Sequence, residues 1–397
     1  MRVVFTCLPY YSHLAPVLPV AGALRAAGHT VAVATAPAMA DQVAGAGLEL
    51  LPLSQVRTLA ELLTDPEFVS SPGMPGAAPE TDRERAQART RPGRLTLARA
   101  GVLAGEFARN LLDVAHRFKP DLIVRDSAEF GGYLAAQRLA LPCAVVDVAP
   151  LNAHHLPFVH ETLNGERVAL GLDPVDDPWH PVRERLIGLA PASWYPPTLP
   201  VHPERSYRSP ETAHTLDAAF ADLPGDRPLV LAGLGTVAPS IVPEFPALLA
   251  SVVAALGELP CTGVVAVGAA AADWPGPRPA NVLMAPFIPL VPLLAGADLF
   301  VSQAGFGGAL LALRAATPMV GLPLLGDQEL NSRRIAEIGC GLHVDPIGAD
   351  HAVLAAACER VLADRSFGYR AAELSRHILA CPGYDVLAED LAALSCG

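Results

Sequence analysis

Residues 297–313 read ADLFVSQAGFGGALLAL, and this stretch decides the fold class. The apolar run that ends at Ser302 is typical of a buried strand, and the run after Gly308 is typical of a helix. A glycine-containing turn that opens a helix leaves backbone N–H groups without partners at the positive end of the helix dipole. The stretch therefore predicts a strand, a turn and a helix that together could seat a phosphate or diphosphate group.

The same alternation of strand and helix extends over both halves of the chain. Strands are predicted at 2–8, 30–35, 48–53, 121–125 and 143–148, and then at 229–234, 263–268, 282–285, 299–302, 319–322 and 341–344. Helices are predicted at 17–27, 39–46, 95–118 and 130–139, and then at 245–256, 290–295, 307–316, 331–338 and from 352 onward. This pattern predicts an α/β protein with two doubly wound, Rossmann-like parallel sheets, which face each other across a cleft.

Length and composition agree with two domains. The chain of 397 residues is too long for one ordinary core, and its 51% of apolar residues can fill two. Residues 54–94 are polar and weakly periodic, which predicts a long, partly mobile loop, and the seven prolines of 189–224 predict an inter-domain linker on the surface. We expect a first domain at 1–210, a second at 211–375, and a C-terminal helix at 376–397 that packs back on the first.

Charge and cysteine content exclude several classes of protein. A net charge of −12 disfavours general binding to nucleic acid. No apolar run reaches the roughly 20 residues that cross a bilayer, so no membrane insertion is expected. The seven cysteines are widely spaced and form no CxxC pair, which is typical of reduced thiols in a cytoplasmic protein. P-loop, GxGxxG, GxSxG and HExxH motifs are absent.

His13 and Asp126 each follow a predicted strand of the first half. A neutral imidazole could take a proton from a hydroxyl nucleophile, and a carboxylate could orient that imidazole. The alternative is that His13 packs in a loop and that Asp126 caps the next helix. Ligands bind at the C-terminal strand ends in folds of this kind, which favours the catalytic interpretation, more for His13 than for Asp126.

Several residues of the second half outside the turn at 303–308 are candidates for donor binding. Gly235 and Thr236 follow a strand and could contact a phosphate, although an ordinary turn would look the same. Asp327 and Gln328 could hydrogen-bond vicinal hydroxyls of a sugar, or lie in a solvated loop where Asp327 caps a helix. Phe287 could stack on a nucleobase, while a buried aromatic is the commoner outcome.

A histidine cluster raises the question of a metal. His154, His155 and His160 lack carboxylate partners at ligand spacing, so we expect solvated histidines or ones that line an acceptor site, and no metal site.

Together these residues resemble family 1 glycosyltransferases with the GT-B fold, in particular bacterial enzymes that glycosylate natural products such as antibiotics. The resemblance covers nearly the whole chain. In that family the residue that matches His13 is the general base, and the one that matches Asp126 assists it. The segment NVLMAPFIPL at 281–290 is similar to the base-binding segment, with Phe287 in the stacking place and Ile288 in the place whose backbone contacts the base.

The resemblance also extends to the diphosphate and sugar segments, with two departures. The residues Gly326, Asp327 and Gln328, followed by Asn331, look like the segment that holds the donor sugar. Where the family usually has a histidine that contacts the diphosphate, this chain has Gln303. Where the family has a serine or threonine near the helix start, it has Gly308.

The resemblance implies a reaction. A nucleotide-diphosphate sugar, by resemblance a dTDP-sugar, binds the second domain, and a hydrophobic aglycone binds the first near Tyr10, Tyr11 and residues 151–194. His13 removes the acceptor proton, and the diphosphate leaves with inversion onto the amides around Gly305 and Gly307. Gln303 and Thr236 assist there, and no cofactor or divalent metal is needed. A homodimer is one possibility that the sequence leaves open.

Three alternatives stay open. The long Pro-rich middle segment favours a bulky acceptor over a nucleotide-sugar epimerase on the same fold. The departures at Gln303 and Gly308 would also fit a catalytically impaired homologue that acts as a binding partner. Within the transferase interpretation, formation of a carbon–carbon glycosidic bond is a further alternative.

Overall fold

The computed structural model describes residues 1–58, 61–62, 65, 91–149, 157–183, 185–210, 215–268 and 274–394. The chain divides into two compact units, one made of Met1–Pro210 with Cys381–Gly397 and the other of Glu211–Ala380. Each unit is built on a parallel sheet covered by helices, so the predicted α/β class with two doubly wound sheets is confirmed.

The first unit contains a seven-stranded sheet in the order β3-β2-β1-β4-β5-β6-β7, in which all neighbouring strands are parallel. Its strands are β1 Arg2–Thr6, β2 Thr30–Thr35, β3 Glu49–Pro52, β4 Leu122–Asp126, β5 Cys143–Val146, β6 Leu186–Gly188 and β7 Arg205–Ser206. The central strands β1 and β4 are almost wholly buried, as expected for strands covered on both faces.

The helices of the first unit cover both sides of this sheet. They are α1 Tyr11–Ala26, α2 Ala40–Gly45, α3 Arg91–Ala100, α4 Val102–Phe118, α5 Gly131–Leu139, α6 Pro157–Ala169 and α7 His180–Arg183, and α16 Tyr384–Leu394 joins them from the C-terminal end. Helix α16 packs against α1. Its Asp390 accepts hydrogen bonds from Arg205 and Tyr207 at strand β7, which fixes the end of the chain to this unit.

The second unit contains a six-stranded parallel sheet in the order β10-β9-β8-β11-β12-β13. Its strands are β8 Leu229–Gly233, β9 Thr262–Ala266, β10 Val282–Ala285, β11 Leu299–Ser302, β12 Met319–Gly321 and β13 Gly341–His343. Its helices are α8 Ala218–Ala221, α9 Ala238–Ile241, α10 Phe245–Glu258, α11 Leu290–Leu294, α12 Phe306–Arg314, α13 Gln328–Glu337, α14 His351–Ala363 and α15 Ser366–Ala380.

The predicted helix at 95–118 is wrong as a single element. The structure has two helices, α3 and α4, which meet at Gly101 with a φ of −101° and a ψ of −109°. A Cβ at position 101 would lie 2.8 Å from Cγ2 of Thr162 on α6. Glycine is therefore needed where α6 crosses the break, and the periodicity of the sequence carries no sign of that crossing.

The predicted surface linker at 189–224 is also wrong over much of its length. Strand β7 lies inside it, and Trp194, Tyr195 and Tyr207 are buried in the first unit. The hydroxyl of Tyr195 donates to Asp147 at 2.9 Å. Proline prevents regular helix here but still permits short edge strands, so a Pro-rich stretch completes the sheet.

Two expectations fall mainly on residues outside the described ranges. They are most of the predicted loop at 54–94 and the start of the acceptor segment at 151–194, with His154 and His155. Among the helices that the structure describes, none combines the length and the apolar character needed to cross a membrane.

Candidate active site

The first unit gathers its candidate residues at the point where the strand order reverses. Strands β1 and β4 are neighbours at the centre of the sheet, and the chain proceeds outward from them in opposite directions. Such a switch point leaves a crevice outside the C-terminal strand ends, where α/β sheets bind ligands. His13 follows β1 and Asp126 is the last residue of β4, so both lie at this crevice.

His13 and Asp126 form a direct pair. Nδ1 of His13 lies 2.9 Å from Oδ2 of Asp126, with 18% of the histidine side chain exposed and the aspartate fully buried. An N–H at Nδ1 that donates to the carboxylate leaves Nε2 as the unprotonated ring nitrogen. No described residue bonds to Nε2. The arrangement is that of an oriented base, which can accept a proton at Nε2.

The carboxylate of Asp126 is itself fixed by backbone donors. Its Oδ2 accepts from the N–H of Leu8 at 3.1 Å, and its Oδ1 accepts from the N–H of Ala128 at 2.5 Å. Burial acts to raise the pKa of Asp126, but the neighbouring His13 and these donors together hold it below its usual range. Asp126 is therefore a stable anion that can support a positive charge on His13.

The structure corrects the local setting of both residues. His13 lies in the first turn of α1, which begins at Tyr11, and not in a loop before a helix at 17–27. Pro16 and Pro19 lie inside this helix, and their presence in the sequence hid its start because proline usually marks a helix boundary. Asp126 does not cap α5, whose N-cap residue is Phe130, and its carboxylate accepts instead from Leu8, His13 and Ala128.

One of the two predicted acceptor-binding tyrosines, Tyr10, lies beside His13. Tyr10 is the residue before α1, and its ring centroid is 6.1 Å from that of His13. Tyr11 is 61% exposed. Tyr10 also lines a pocket of the first unit together with Phe107 and Glu129.

The second unit has its own switch point, between β8 and β11. Gly235 and Thr236 follow β8 and are exposed, and Gln303 follows β11. A side chain at Gly235, whose φ is +80°, would collide with Nε2 of Gln303, and a Cβ at Gly305 would lie 3.0 Å from the same atom. The amide of Gln303 thus lies between two glycines at the mouth of the crevice.

The start of α12 presents backbone donors beside this amide. Gly305 is the N-cap residue, and no side chain caps the helix. Among the described residues, none accepts a hydrogen bond from the N–H groups of Gly305, Gly307 or Gly308. Ala304 turns the chain with a left-handed φ of 59°. Free N–H groups at a helix start favour an anion, as the sequence predicts.

Phe287 and Ile288 follow strand β10 at the same sheet edge. Phe287 is 71% exposed, whereas Ile288 is 3% exposed and packs inward. Phe287 is therefore not a core aromatic, and its ring is available to stack on a planar group.

Asp327 and Gln328 lie at the start of α13. The carbonyl of the Gln328 side chain accepts from the N–H groups of Leu324 and Leu325, both at 2.8 Å, which leaves its amide NH₂ as a donor. Oδ2 of Asp327 accepts from the buried Asn331 at 2.7 Å, and its side chain makes no capping bond. The orientation of both residues is thus fixed by their own loop and helix.

Two charged residues beside Asp126 were not predicted. Arg125 is fully buried in β4, and its guanidinium donates to the carbonyls of Asp126, Ser127, Glu129 and Pro181. Glu129 is 1% exposed and caps the start of α5 through the N–H of Gly132. The signal in the sequence is a group of three charged residues, Arg125, Asp126 and Glu129, between the apolar runs 122–124 and 130–136.

Potential metal ligands do not cluster in the part of the chain that is described, where no group of three or more His, Cys, Asp or Glu side chains could hold an ion. The nitrogen Nε2 of His160 lies 3.3 Å from the side-chain amide of Asn164.

Known proteins with similar sequences identify the family. Two domain models of the erythromycin biosynthesis protein CIII-like family match this chain, the N-terminal domain at residues 22–206 and the C-terminal domain at 250–394. The L-demethylnoviosyl transferase of Streptomyces niveus is 31% identical over 402 residues, which cover 99% of this chain and 98% of the relative. The chain belongs to the glycosyltransferases of antibiotic biosynthesis.

Solved structures support the fold of this glycosyltransferase. The spinosyn rhamnosyltransferase SpnG complexed with thymidine diphosphate has a TM-score of 0.78 and 23% identity, and the match covers 99% of this chain and 100% of that one. The same enzyme complexed with spinosyn aglycone has a TM-score of 0.77 at 24% identity, with 99% and 100% covered. The predicted GT-B family and its parallel-sheet fold are confirmed, while the roles of the individual residues of the glycosyltransferase stay predictions.

Proposed function

We propose that this glycosyltransferase moves a sugar from a thymidine diphosphate donor to a hydroxyl of a hydrophobic acceptor, with inversion at the anomeric carbon. The observation that carries the proposal is the pair formed by His13 and Asp126, with Nε2 of His13 unbonded among the described residues. A solved protein of this fold is complexed with thymidine diphosphate and, in another crystal, with an aglycone, which supports the choice of both substrates.

In the proposed reaction the acceptor binds to the first unit, because the residue that takes its proton lies there. Nε2 of His13 takes the proton of the acceptor hydroxyl, and Asp126 stabilises the imidazolium that forms. The oxygen then attacks the anomeric carbon from the face opposite the diphosphate, through an oxocarbenium-like state. One bond to oxygen forms as the bond to the diphosphate breaks, so the configuration inverts.

In the proposed reaction the sugar donor binds to the second unit, because the groups that would bind its diphosphate lie there. The diphosphate gains negative charge as it departs, and we assign the N–H groups of Gly305, Gly307 and Gly308 with the Gln303 amide as the donors that stabilise that charge. Thr236 adds a hydroxyl at the neighbouring strand end. Because these donors and the helix dipole stabilise the charge, the proposal requires no divalent metal.

The rest of the donor is assigned to the same sheet edge. Phe287 is exposed and is assigned to stacking on the base, with the backbone of Ile288 beside it. Asp327 and Gln328, whose side chains are held by their own hydrogen bonds, are assigned to the hydroxyls of the sugar. Each of these assignments is a substitution target in a donor-binding assay.

A transfer assay tests the proposal. Purified protein is incubated with α-linked thymidine diphosphate sugars and a panel of phenolic and alcoholic acceptors, with and without EDTA. We expect an O-linked product with inverted configuration by NMR, at a rate that EDTA leaves unchanged. Retained configuration, a carbon-linked product, epimerised donor, or thymidine diphosphate binding without turnover would each contradict it.

A further inference from the structure

The proposed reaction gives no task to the buried guanidinium of Arg125, the residue before Asp126 in strand β4. Arg125 is fully buried, and no carboxylate in the described part of the chain forms an ion pair with it. Its Nε has no hydrogen-bond partner among the same residues, and the ring of Phe130 lies 5.8 Å from the guanidinium carbon. Burial of a cation without an ion pair costs free energy, so the hydrogen bonds that the guanidinium does make must offset that cost.

Three of the carbonyls that accept from this guanidinium belong to the turn after strand β4. Nη1 of Arg125 donates to the carbonyl of Asp126 at 3.0 Å and to that of Ser127 at 3.3 Å. It also donates to the carbonyl of Glu129 at 2.7 Å. Because these carbonyls all face one nitrogen atom, the position of that atom determines the path of the backbone through the turn.

The path of the turn in turn fixes the carboxylate of Asp126. The N–H of Ala128 lies in the turn and donates to Oδ1 at 2.5 Å, while Oδ2 lies 2.9 Å from Nδ1 of His13. The N–H of Leu8 holds Oδ2 from the other side. A shift of the turn would therefore rotate the carboxylate without releasing it. A displacement of about 1 Å at such a place can lower a rate by about 100-fold.

The fourth carbonyl lies on helix α7, which is 56 residues further along the chain, where Nη2 of Arg125 donates to the carbonyl of Pro181. The neighbouring His180 is held as well, since its Nδ1 lies 2.8 Å from the hydroxyl of Tyr133 on α5. A helix of four residues is not stable by itself, so these contacts determine where α7 lies. Helix α7 belongs to the proposed acceptor segment at 151–194.

We propose that Arg125 is a positioning residue for the proposed base: it joins helix α7 to the turn that orients Asp126 toward His13. The proposal rests on the proposed function and deepens it, since it connects the place where the acceptor binds with the rate at which its proton is removed. A movement of α7 reaches the carboxylate through this one side chain.

A role of Arg125 in stability alone is the alternative, and it predicts different measurements. A residue that only stabilises the fold lowers the melting temperature but leaves the transfer rate well below that temperature unchanged. A residue that acts through the base lowers the rate only while the base is present.

Arg125→Lys separates the two roles, because lysine keeps the charge and loses the planar fork of donors. We expect the transfer rate at saturating substrates to fall by about 10- to 100-fold. Thymidine diphosphate affinity should stay within about twofold of the wild type, because Arg125 lies in the first unit. Arg138→Lys, at an exposed arginine of α5, is the control and should keep the wild-type rate.

A double-mutant cycle shows whether Arg125 acts through His13. In the His13→Ala background, Arg125→Lys should change the residual single-turnover rate by less than about twofold, because the base that Arg125 positions is already gone. An equal loss of rate in both backgrounds overturns the proposal.

The proton on Nδ1 of His13 reports the same geometry in the absence of substrate. An imidazole N–H that donates to a carboxylate gives a downfield proton resonance in NMR, and the loss of this resonance in His13→Ala assigns it. We expect Arg125→Lys to shift or broaden the resonance and Arg138→Lys to leave it in place. A resonance in Arg125→Lys that is identical to that of the wild type overturns the proposal.

The connection to α7 is tested by a variant that leaves Arg125 in place and so does not depend on how Arg125→Lys folds. His180→Phe keeps a ring and removes the hydrogen bond to Tyr133. We expect the transfer rate to fall by about 2- to 10-fold, the value of one hydrogen bond, and the His13 resonance to shift. An unchanged rate together with an unchanged resonance in His180→Phe overturns the connection.

The resonance and the transfer rate separate this proposal from the proposed function. If the wild-type protein transfers no sugar, the proposed function falls, whereas a resonance that changes in Arg125→Lys still supports the positioning role. If transfer is intact and neither Arg125→Lys nor His180→Phe alters the rate or the resonance, the positioning role falls and the proposed function stands.

Discussion

The two strand-end turns of this glycosyltransferase occupy equivalent places and are built in opposite ways. Each lies at the switch point of its own sheet, between β1 and β4 or between β8 and β11. The first is made of buried charged side chains, with Arg125 and Asp126 at the end of strand β4 and Glu129 in the turn that follows. The second, at residues 303–308, has no ionisable side chain and relies on backbone N–H groups and one amide.

The difference follows from the two tasks. Removing a proton needs a base whose free nitrogen is held in place by a partner, and the carboxylate of Asp126 holds the ring of His13 in this way. Holding a departing diphosphate needs several donors already aimed at the place where charge develops, and glycine allows them to approach. Burial of the first turn therefore costs free energy and makes that turn sensitive to pH. The second turn is uncharged, and its function depends on how closely the ligand can approach its backbone.

The largest expected effect comes from removing the proposed general base, His13, of the first turn. His13→Ala should lower the transfer rate by about 10²–10⁴-fold, because general-base catalysis is lost. The rate is measured at saturating donor and acceptor. His29→Ala, a histidine three residues after the end of the same helix, is the control and should keep wild-type turnover. Near-normal turnover in His13→Ala would contradict the assignment.

The burial of Glu129 makes the stability of the first unit depend on pH. Its folded pKa of about 7 lies above the ordinary value of 4.5, so folding takes up a proton between these values. The contribution of Glu129 to the free energy of unfolding is therefore fully present below pH 4.5. It is lost as the pH rises through 7, by up to about 3 kcal/mol. The melting temperature of Glu129→Gln should therefore fall less between pH 5 and 7.5 than that of the wild type.

The exposed Glu49 provides a matched control for that measurement. Glu49→Gln on strand β3 should leave the pH dependence of the melting temperature as in the wild type. Identical curves for Glu129→Gln and the wild type would show that burial of this carboxyl carries no such cost.

The second turn should respond in binding rather than in stability. Gln303→Ala removes the amide that lies between Gly235 and Gly305, and a hydrogen bond to a charged phosphate contributes about 1.5–3 kcal/mol. Thymidine diphosphate affinity should therefore fall by about 10- to 100-fold in calorimetry. Gln42→Ala, at an exposed glutamine, should not change it. An unaltered affinity in Gln303→Ala would remove this amide from the donor site.

The smallest expected effect is a gain in affinity for thymidine diphosphate. A Cβ at Gly308 would lie 3.7 Å from Cε1 of Phe300, which is ordinary contact, so Gly308→Ser fits without strain. The added hydroxyl near the helix start should tighten thymidine diphosphate binding by about 2- to 10-fold. Gly368→Ser, in a helix of the same unit with open space around it, is the control. Weaker binding in Gly308→Ser would indicate that the glycine is needed for close approach.

Most of the fold could be predicted because buried parallel strands are short apolar runs with clear ends. The strands at 282–285 and 299–302 have the predicted bounds. Strands β6 and β7 were missed because strands of two or three residues carry no periodicity, and prolines surround them. The break at Gly101 depends on the crossing of α6, which is a tertiary contact that local sequence does not encode.

The candidate site could be predicted where strand order brings residues together, and less well where burial decides. His13 and Asp126 were placed at one sheet edge from their positions after strands, and they lie 2.9 Å apart. Arg125 and Glu129 were overlooked because charged residues are usually exposed. Their burial follows from the way residues 126–129 fold around the guanidinium of Arg125, which donates to the carbonyls of Asp126 and Glu129.

The central claim is tested most directly by measuring thymidine diphosphate affinity and single-turnover transfer rate on His13→Ala and Gln303→Ala side by side. The account predicts that His13→Ala loses the rate at an affinity within about twofold of the wild type. It predicts that Gln303→Ala mainly loses affinity and keeps more of its rate at saturation. Loss of diphosphate affinity in His13→Ala together with full affinity in Gln303→Ala would contradict the division of roles between the two turns.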